Sequence, residues 1–505
     1  MSDYPDIIND PNVDKTERLA ALRMAYNTPS HYLSREDLSQ RRRDAESAEG
    51  ILNFHSYISP HNEDLEQKSE LSNNNSASFA FSAPLRDKKL IEVNNHIHTI
   101  YSFSPYSPSM AALRASDAGL GAAGSVDHDS IGAAQEMLAA CAVLGIGGCV
   151  GFEVRVSFKT GADGKTSPFA ERKINNPDSL GLAYMTVQGI PRQSIPAAAD
   201  FLAPLRLARL KRSKSMAMSA NVLLKDAGFN EIDFDADVLA RSKYSDGGGI
   251  TERHLLAAAA DKIILKYGKG PALCDGIAVA LGISVPPRLA ALLADPNNPH
   301  YLYDLLGILK TEFLPRIFIQ PDEHECIPAA IVTAFAKSIN AIPAYPYLGD
   351  VGESLTGDKK AEKFEDDYID ELFAEISRLG YQALTYMPPR NTLAQLKKLQ
   401  KLAVQWGFME ISGVDINSSR QSFNCPEVCR DEFRHLVDTT WALIAHERLA
   451  SVNTRYALFS ESSPFASMNL AGRLALYAKL GRKLDLHHPD ESAAEIAVEL
   501  DKGIH

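Results

Sequence analysis

Two histidines two residues apart, His96 and His98, stand in the stretch 91–107, IEVNNHIHTIYSFSPYS. The run before them, with Ile91 and Val93, is apolar and β-branched, as a strand would be. Side chains on a strand alternate, so the two imidazoles project together from its end. Two imidazoles side by side are the start of a metal site, which carboxylates would complete. With 14 histidines in the chain, one such pair means little alone. It gains meaning if other strand ends deliver matching ligands to the same place.

The elements that must do so follow a strand–loop–helix rhythm from residue 89 onward. After the His pair comes a helix, MAALRASDA, with Ser109 as its expected cap and Gly119 as its stop. A strand, AAGSV, then leads to Asp127-His128-Asp129, and Ser130 is expected to open the next helix, which Gly145 ends. The strand CVGFEVRVSF carries Glu153 and Arg155 on one face, and GLAYMTVQGI carries Tyr184. Residues 201–325 interrupt the rhythm with helical patterns and read as an inserted subdomain. The rhythm resumes with a helix at 327–337, the strand AIPAYPYL, helices at 366–379 and 392–406, and the strands QALTYMPP and FMEISGVDIN. Repeated βα units imply a mainly parallel sheet, open or closed into a barrel. In a βα-barrel the working residues sit at the C-terminal strand ends. The unusual polar residues fall there: His96, His98, Asp127, His128, Glu153, Tyr184, Tyr345, Arg390, Asn391, Asp415 and Asn417.

Composition bounds the rest. The chain has 505 residues, 45% of them hydrophobic, enough for a large core or several domains. A net charge of −12 argues against long nucleic acid or an anionic membrane as the main partner. Six cysteines form no even framework, and Cys425-x-x-x-Cys429 lacks the second pair a zinc knuckle would need. The N-terminus shows no secretory pattern, and no apolar run is long enough to span a bilayer. Free thiols then suggest a reducing, cytoplasmic setting. Residues 1–88 are polar and uneven. A short helix is expected at 15–26 and a loop or flexible linker at 62–83, and no chemistry is assigned to this arm. The local basic run Arg206, Arg209, Lys211, Arg212 and Lys214 is either a solvated helix face or a positive rim for a phosphate. P-loop, nucleophile-elbow and Rossmann patterns are absent.

The ordered motifs HIHTIYS, GSVDHDS, GFEVRV, AIPAYPY and SGVDIN resemble the PHP (polymerase and histidinol phosphatase) superfamily over roughly residues 90–450. The stretch Thr251-Glu252-Arg253-His254-Leu255 is similar to the start of the helical insert in those PHP phosphoesterases that act on nucleotides and short RNA. The fold implied is α/β, a distorted seven-stranded βα-barrel with an inserted helical subdomain. The first half of the barrel is expected at 89–200 and the second at 326–455, with a helical extension at 456–505. The resemblance implies metal ligands His96, His98, Glu153 and Asp415, and His128 at an altered neighbouring position. Family ligands are replaced at Phe103, Tyr184, Tyr345 and Asn417, so one firmly held divalent ion (zinc, manganese or iron) is expected in place of three.

With fewer ions, side chains must stabilise more of the transition-state charge. Arg155, Arg253, Arg390 and Arg420 are candidates to bind a phosphate, as is Asn417; each arginine alone is equally compatible with an ion pair. Tyr184 and Tyr345 are candidate donors to a developing oxyanion, or fill the space of a missing ion. His254 is either a general acid or a helix-start residue, and Asp127 is expected to orient an imidazole. The function expected is a metal-dependent phosphoesterase that activates water against a small phosphorylated metabolite or nucleotide. A one-metal hydrolase of a C–N bond and a non-catalytic, metal-binding descendant are the alternatives.

Overall fold

The structure, a computed structural model, describes residues 4–27, 92–351 and 362–503. The linker expected at 62–83 lies outside the described residues. Seven strands, β1 (Glu92–Ile97), β2 (Leu120–His128), β3 (Gly147–Ser157), β4 (Leu182–Gln188), β5 (Ile342–Pro346), β6 (Ala383–Tyr386) and β7 (Met409–Ser412), lie in one sheet in chain order. Beyond β7 the chain returns to β1. The Ile416 amide donates to the His96 carbonyl at 3.1 Å, and the His98 amide to the Ile416 carbonyl at 2.9 Å. These bonds nearly close the sheet into a barrel, as expected.

The sheet is less parallel than the βα rhythm predicts. β4 runs antiparallel to both β3 and β5, while the other pairs are parallel. A loop rather than a crossover helix joins β3 to β4, which an antiparallel pair permits and a parallel pair does not. The reversal has a consequence for Tyr184. Near the start of β4, it pairs with Arg155 of β3 and so reaches the rim where the other strands end.

Two helix starts also differ from expectation. The helix Pro108–Asp117 is capped by Ser107, whose hydroxyl accepts from the Met110 amide at 3.1 Å. Pro108 in the first turn marks that start. Ser109 lies inside the helix and donates its hydroxyl to Glu136 at 2.8 Å. Ser130 opens no helix; it donates to the Gly247 carbonyl at 2.7 Å, and the helix begins at Ala134.

Hydrophobic packing among the described residues includes two clusters. Val93, Ala122, Ile342, Ala344, Ala383, Met409 and Ile411 of the strands pack with Leu443, Ile444, Tyr477 and Ile496 of the C-terminal helices His435–Val452, Leu470–Lys483 and Pro489–Gly503. The helices Ile195–Asp226, Glu252–Tyr267, Pro271–Leu281, Pro287–Ala294 and Tyr301–Glu312 enclose a second cluster, with Met216, Leu224, Leu256, Ile263, Leu305 and Leu309 fully or almost fully buried. The insert's first helix thus starts at Ile195, ahead of the expected boundary. No helix among the described residues is long and apolar enough to cross a membrane.

The basic run on the helix Ile195–Asp226 is neither uniformly solvated nor a positive rim. Arg209 and Arg212 are buried in a network with Arg155, Asp129, Glu252 and Glu325. Arg206 donates to the Gly248 and Tyr244 carbonyls. Lys211 and Lys214 are exposed.

Candidate metal centre

The end of β1 departs from regular pairing, with a register shift between Asn94 and Ile97. His96 within that shift and His98 just after it lie with ring centroids 5.2 Å apart. Both face Glu153 of β3: His96 Nε2 is 4.0 Å and His98 Nε2 is 3.8 Å from its two carboxylate oxygens. Asp415, three residues past β7, places Oδ1 3.3 Å from His98 Nε2. Gly413 lets that segment pass close by, since a Cβ there would lie 2.5 Å from the His96 Cβ. His128, paired with Glu153 across β2 and β3, puts Nδ1 2.9 Å from Glu153 Oε2 and stacks on His98 at 4.5 Å.

Electrostatics make this cluster incomplete as it stands. Burial, then the neighbouring His128 and His96 rings, hold His98 well below the ordinary imidazole range. His98 is therefore a neutral ring, and its buried Nε2 has no hydrogen-bond partner. Burial would raise the Glu153 carboxyl, but the contact and hydrogen bond with His128, then His96 and His98, bring it below its usual value. A lone pair faces carboxylate oxygens with no donor between them. His96, His98 and Glu153 have ligand atoms within 4.8 Å of one another, a donor set for a divalent transition ion; Asp415 stands beside His98 but outside that triad.

The surroundings fix the tautomer this requires. Asp127 accepts from the Thr99 amide at 2.6 Å, the Thr99 hydroxyl at 2.6 Å and the Ser102 hydroxyl at 2.5 Å. With its proton given to Asp127, Ser102 Oγ accepts from His98 Nδ1 at 3.3 Å. The proton then sits on Nδ1 and the Nε2 lone pair is free. Asp127 thus reaches the imidazole only through Ser102, a residue the sequence reading passed over. Its signal was there: a serine four residues past the second histidine, in a loop short enough to turn back. Asn417 likewise serves its neighbour, donating Nδ2 to Asp415 Oδ1 at 2.6 Å.

The remaining candidates divide. Tyr184 lies beside the cluster, its ring 5.8 Å from that of His128, with burial raising its phenol. Tyr345 does not. Glu153 pairs with Thr186 and Thr186 with Ala344, so Ala344 shares the Glu153 face and Tyr345 points to the other. Its hydroxyl is 3.4 Å from Glu365, and its ring sits among Phe158 and Tyr381. One residue of register, which no sequence pattern fixes, removes it from the site.

His254 is a helix cap. Its Nδ1 accepts from the Thr251 amide at 3.0 Å, and burial, then Arg209, push it down to about 3. It is not a general acid near neutral pH. Arg155 is taken up by Glu325 at 2.6 Å and Glu252 at 3.1 Å. Arg420 is held by both oxygens of Asp304, at 2.5 and 2.6 Å. Arg253 spends one nitrogen on the Asn417 carbonyl at 2.6 Å, and Arg390 one on the Leu348 carbonyl at 3.1 Å. Arg253 thereby meets the segment that carries Asp415, and Asp415 is among the carboxylates that act on Arg390.

No protein-family model matches the chain, and no curated protein matches it. Among solved structures it is similar to an amidohydrolase from Chromobacterium violaceum with bound sulfate and no metal, at 18% identity and a TM-score of 0.43, over 68% of this chain and 95% of that one. It is also similar to a protein from Bifidobacterium adolescentis assigned as a metal-dependent phosphoesterase, at 18% identity and a TM-score of 0.42, over 66% of this chain and 91% of that one.

Proposed function

We propose that this chain is a metal-dependent hydrolase that cleaves a phosphate ester of a small substrate. The observation that carries the proposal is the buried, unpartnered Nε2 of His98 facing Glu153 and Asp415. His96, His98, Glu153 and Asp415 would hold one divalent cation. When bound, such an ion lowers the pKa of water and screens phosphate charge. Asn417 fixes the Asp415 carboxylate, while Ser102 and Asp127 fix the His98 ring. His128, against Glu153 and partly open to solvent, is the group positioned to hold or release a proton beside the cluster. Arg253 and Arg390 keep guanidinium donors beyond those spent on carbonyls, and would meet the phosphate oxygens. A phosphate would bring charge for these guanidiniums to pair with and a neutral amide would not, which favours the phosphate.

Metal analysis of the purified full-length protein, followed by a panel of phosphomonoesters, phosphodiesters and amides, tests this. About one divalent ion per chain and turnover of a phosphoester are expected. Amide cleavage alone would move the reaction to a C–N bond. A chain with no metal and no turnover would be a non-catalytic binding protein.

A further inference from the structure

The loop that carries Ser102 runs from the metal cluster out to the N-terminal segment. At its inner end Ser102 touches both His98 and Asp127. Inside the loop, the Ser102 and Ser104 amides both donate to the Thr99 carbonyl, at 3.0 and 3.1 Å, and the Ile100 amide donates to the Tyr106 carbonyl at 2.9 Å. Phe103 sits between them at a φ of 69°, a left-handed conformation that a phenylalanine keeps only where its surroundings force it. At the outer end the loop is gripped by Asn9. Its Nδ2 donates to the Pro105 carbonyl at 2.9 Å and its Oδ1 accepts from the Ser107 amide at 2.9 Å. The Ser107 hydroxyl donates to the Ile8 carbonyl at 2.5 Å.

The grip is itself anchored. Arg18, only 1% exposed, meets both oxygens of Glu136 at 2.8 and 2.5 Å. The same guanidinium donates to the Asp10 carbonyl at 3.2 Å and to the Val13 carbonyl, tying down the turn that follows Asn9. Glu136 in turn accepts the hydroxyl of Ser109, two residues past Ser107. The strained loop is therefore fixed at both ends, once by the carboxylate of Asp127 and once by the N-terminal segment.

We propose that the N-terminal segment is a strap that positions His98 for the metal, with Asn9 as its positioning residue acting through the 99–107 loop and Ser102. The inference rests on the reading of His96, His98, Glu153 and Asp415 as a metal centre. It assigns a role to a part of the chain that contributes no ligand.

A double-mutant cycle in the full-length protein tests it, with Mn²⁺ or Zn²⁺ affinity read by calorimetry and thermal stability read alongside. Asn9→Ala should weaken metal binding about 5-fold. Ser102→Ala should weaken it by about 10- to 100-fold. Because Asn9 acts through Ser102, the double variant should bind no more weakly than Ser102→Ala alone. Asn9→Asp, which keeps the acceptor for Ser107 and loses the donor to Pro105, is a milder perturbation and should fall between wild type and Asn9→Ala. A merely structural role would lower the melting temperature and leave the affinity of the folded protein unchanged. That result, or full additivity in the double variant, overturns the strap while leaving the metal centre standing. A wild-type protein that takes up no metal overturns both.

Discussion

Two polar clusters meet at β3, and they differ in kind. In one, Arg155, Arg209 and Arg212 face Asp129, Glu252 and Glu325, with five nitrogen–oxygen contacts of 2.5 to 2.7 Å. Burial works against the charge on Glu252, yet the three arginines hold its carboxyl well below the usual range. Cations and anions answer each other, and only the Nε atoms of Arg155 and Arg209 are left over. In the other, the buried Nε2 of His98 faces the Glu153 and Asp415 carboxylates without a hydrogen bond to either. The first cluster joins the insert to the barrel and pairs its charges internally. The second leaves a metal-ligating nitrogen unpaired beside two carboxylates. Glu153 and Arg155, two residues apart on the same face of β3, divide the two. Burial alone therefore does not separate a structural cluster from a functional one; whether donors and acceptors match does.

The widest break in this comparison is expected from His98→Ala or Asp415→Ala, which should abolish metal uptake and turnover while leaving the fold intact. Metal content and a melting curve on the same sample check it. A variant that keeps its metal would show that these groups are not ligands. Glu325→Gln attacks the other cluster. It strips Arg155 and Arg212 of a shared carboxylate, and breaking a buried pair in this way costs about 3–5 kcal/mol. Denaturant unfolding should show that loss, with metal stoichiometry unchanged in the folded fraction. If stability is unaffected, the network is not what joins the insert to the barrel.

A third buried group, a carboxyl far from both clusters in the sequence, gives a test in pH. Glu447, on the helix His435–Val452, accepts the Val150 amide at 2.8 Å, and burial raises its carboxyl to about 8. In the unfolded chain it would titrate near its ordinary value of 4.5. The folded state therefore binds the extra proton between those two values. Its contribution to stability is complete below about pH 4.5 and is lost as pH rises through about 8. Glu447→Gln removes the titration, so the wild type should lose up to roughly 4 kcal/mol more than the variant between pH 5 and pH 8.5 in urea unfolding. Parallel pH profiles would show that Glu447 is not the source.

The candidate cluster was legible because its residues sit at strand ends, where motif and alternation agree. The pair His96 and His98 needed only local periodicity, while Glu153 and Asp415 were joined to it by the family resemblance. What stayed hidden depends on tertiary pairing. Nothing in Arg209 or Arg212 distinguishes a buried network from a wet helix face until Asp129, Glu252 and Glu325, from three other parts of the chain, arrive beside them. Ser107 could have been read as the cap from the proline that follows it, yet Ser109 looked equally suitable. His254 reads as a chemical residue because histidine seldom caps a helix with its own Nδ1. The reversal of β4 and the register of β5 decide the fates of Tyr184 and Tyr345, and neither is written in the residues themselves.

Those two tyrosines give the finest test of inside against outside. Both stand where the family resemblance places a histidine; Tyr345 is buried and Tyr184 half-buried, and both phenols are raised above their ordinary range, chiefly by desolvation. Tyr184 faces His128 within the barrel, while Tyr345 reaches only Glu365 on the far face of the sheet. Removing one hydroxyl from each should separate them. Tyr184→Phe takes away a donor beside the cluster and should lower kcat/KM by about 3- to 10-fold, the value of one hydrogen bond. Tyr345→Phe loses a long 3.4 Å contact and should leave kcat/KM within about twofold. The measurement is steady-state kinetics on whichever phosphoester the substrate panel identifies. Equal losses from both variants would place Tyr345 in the site after all and shift β5 by one residue; no loss from Tyr184→Phe would make its ring a filler of the space beside His128.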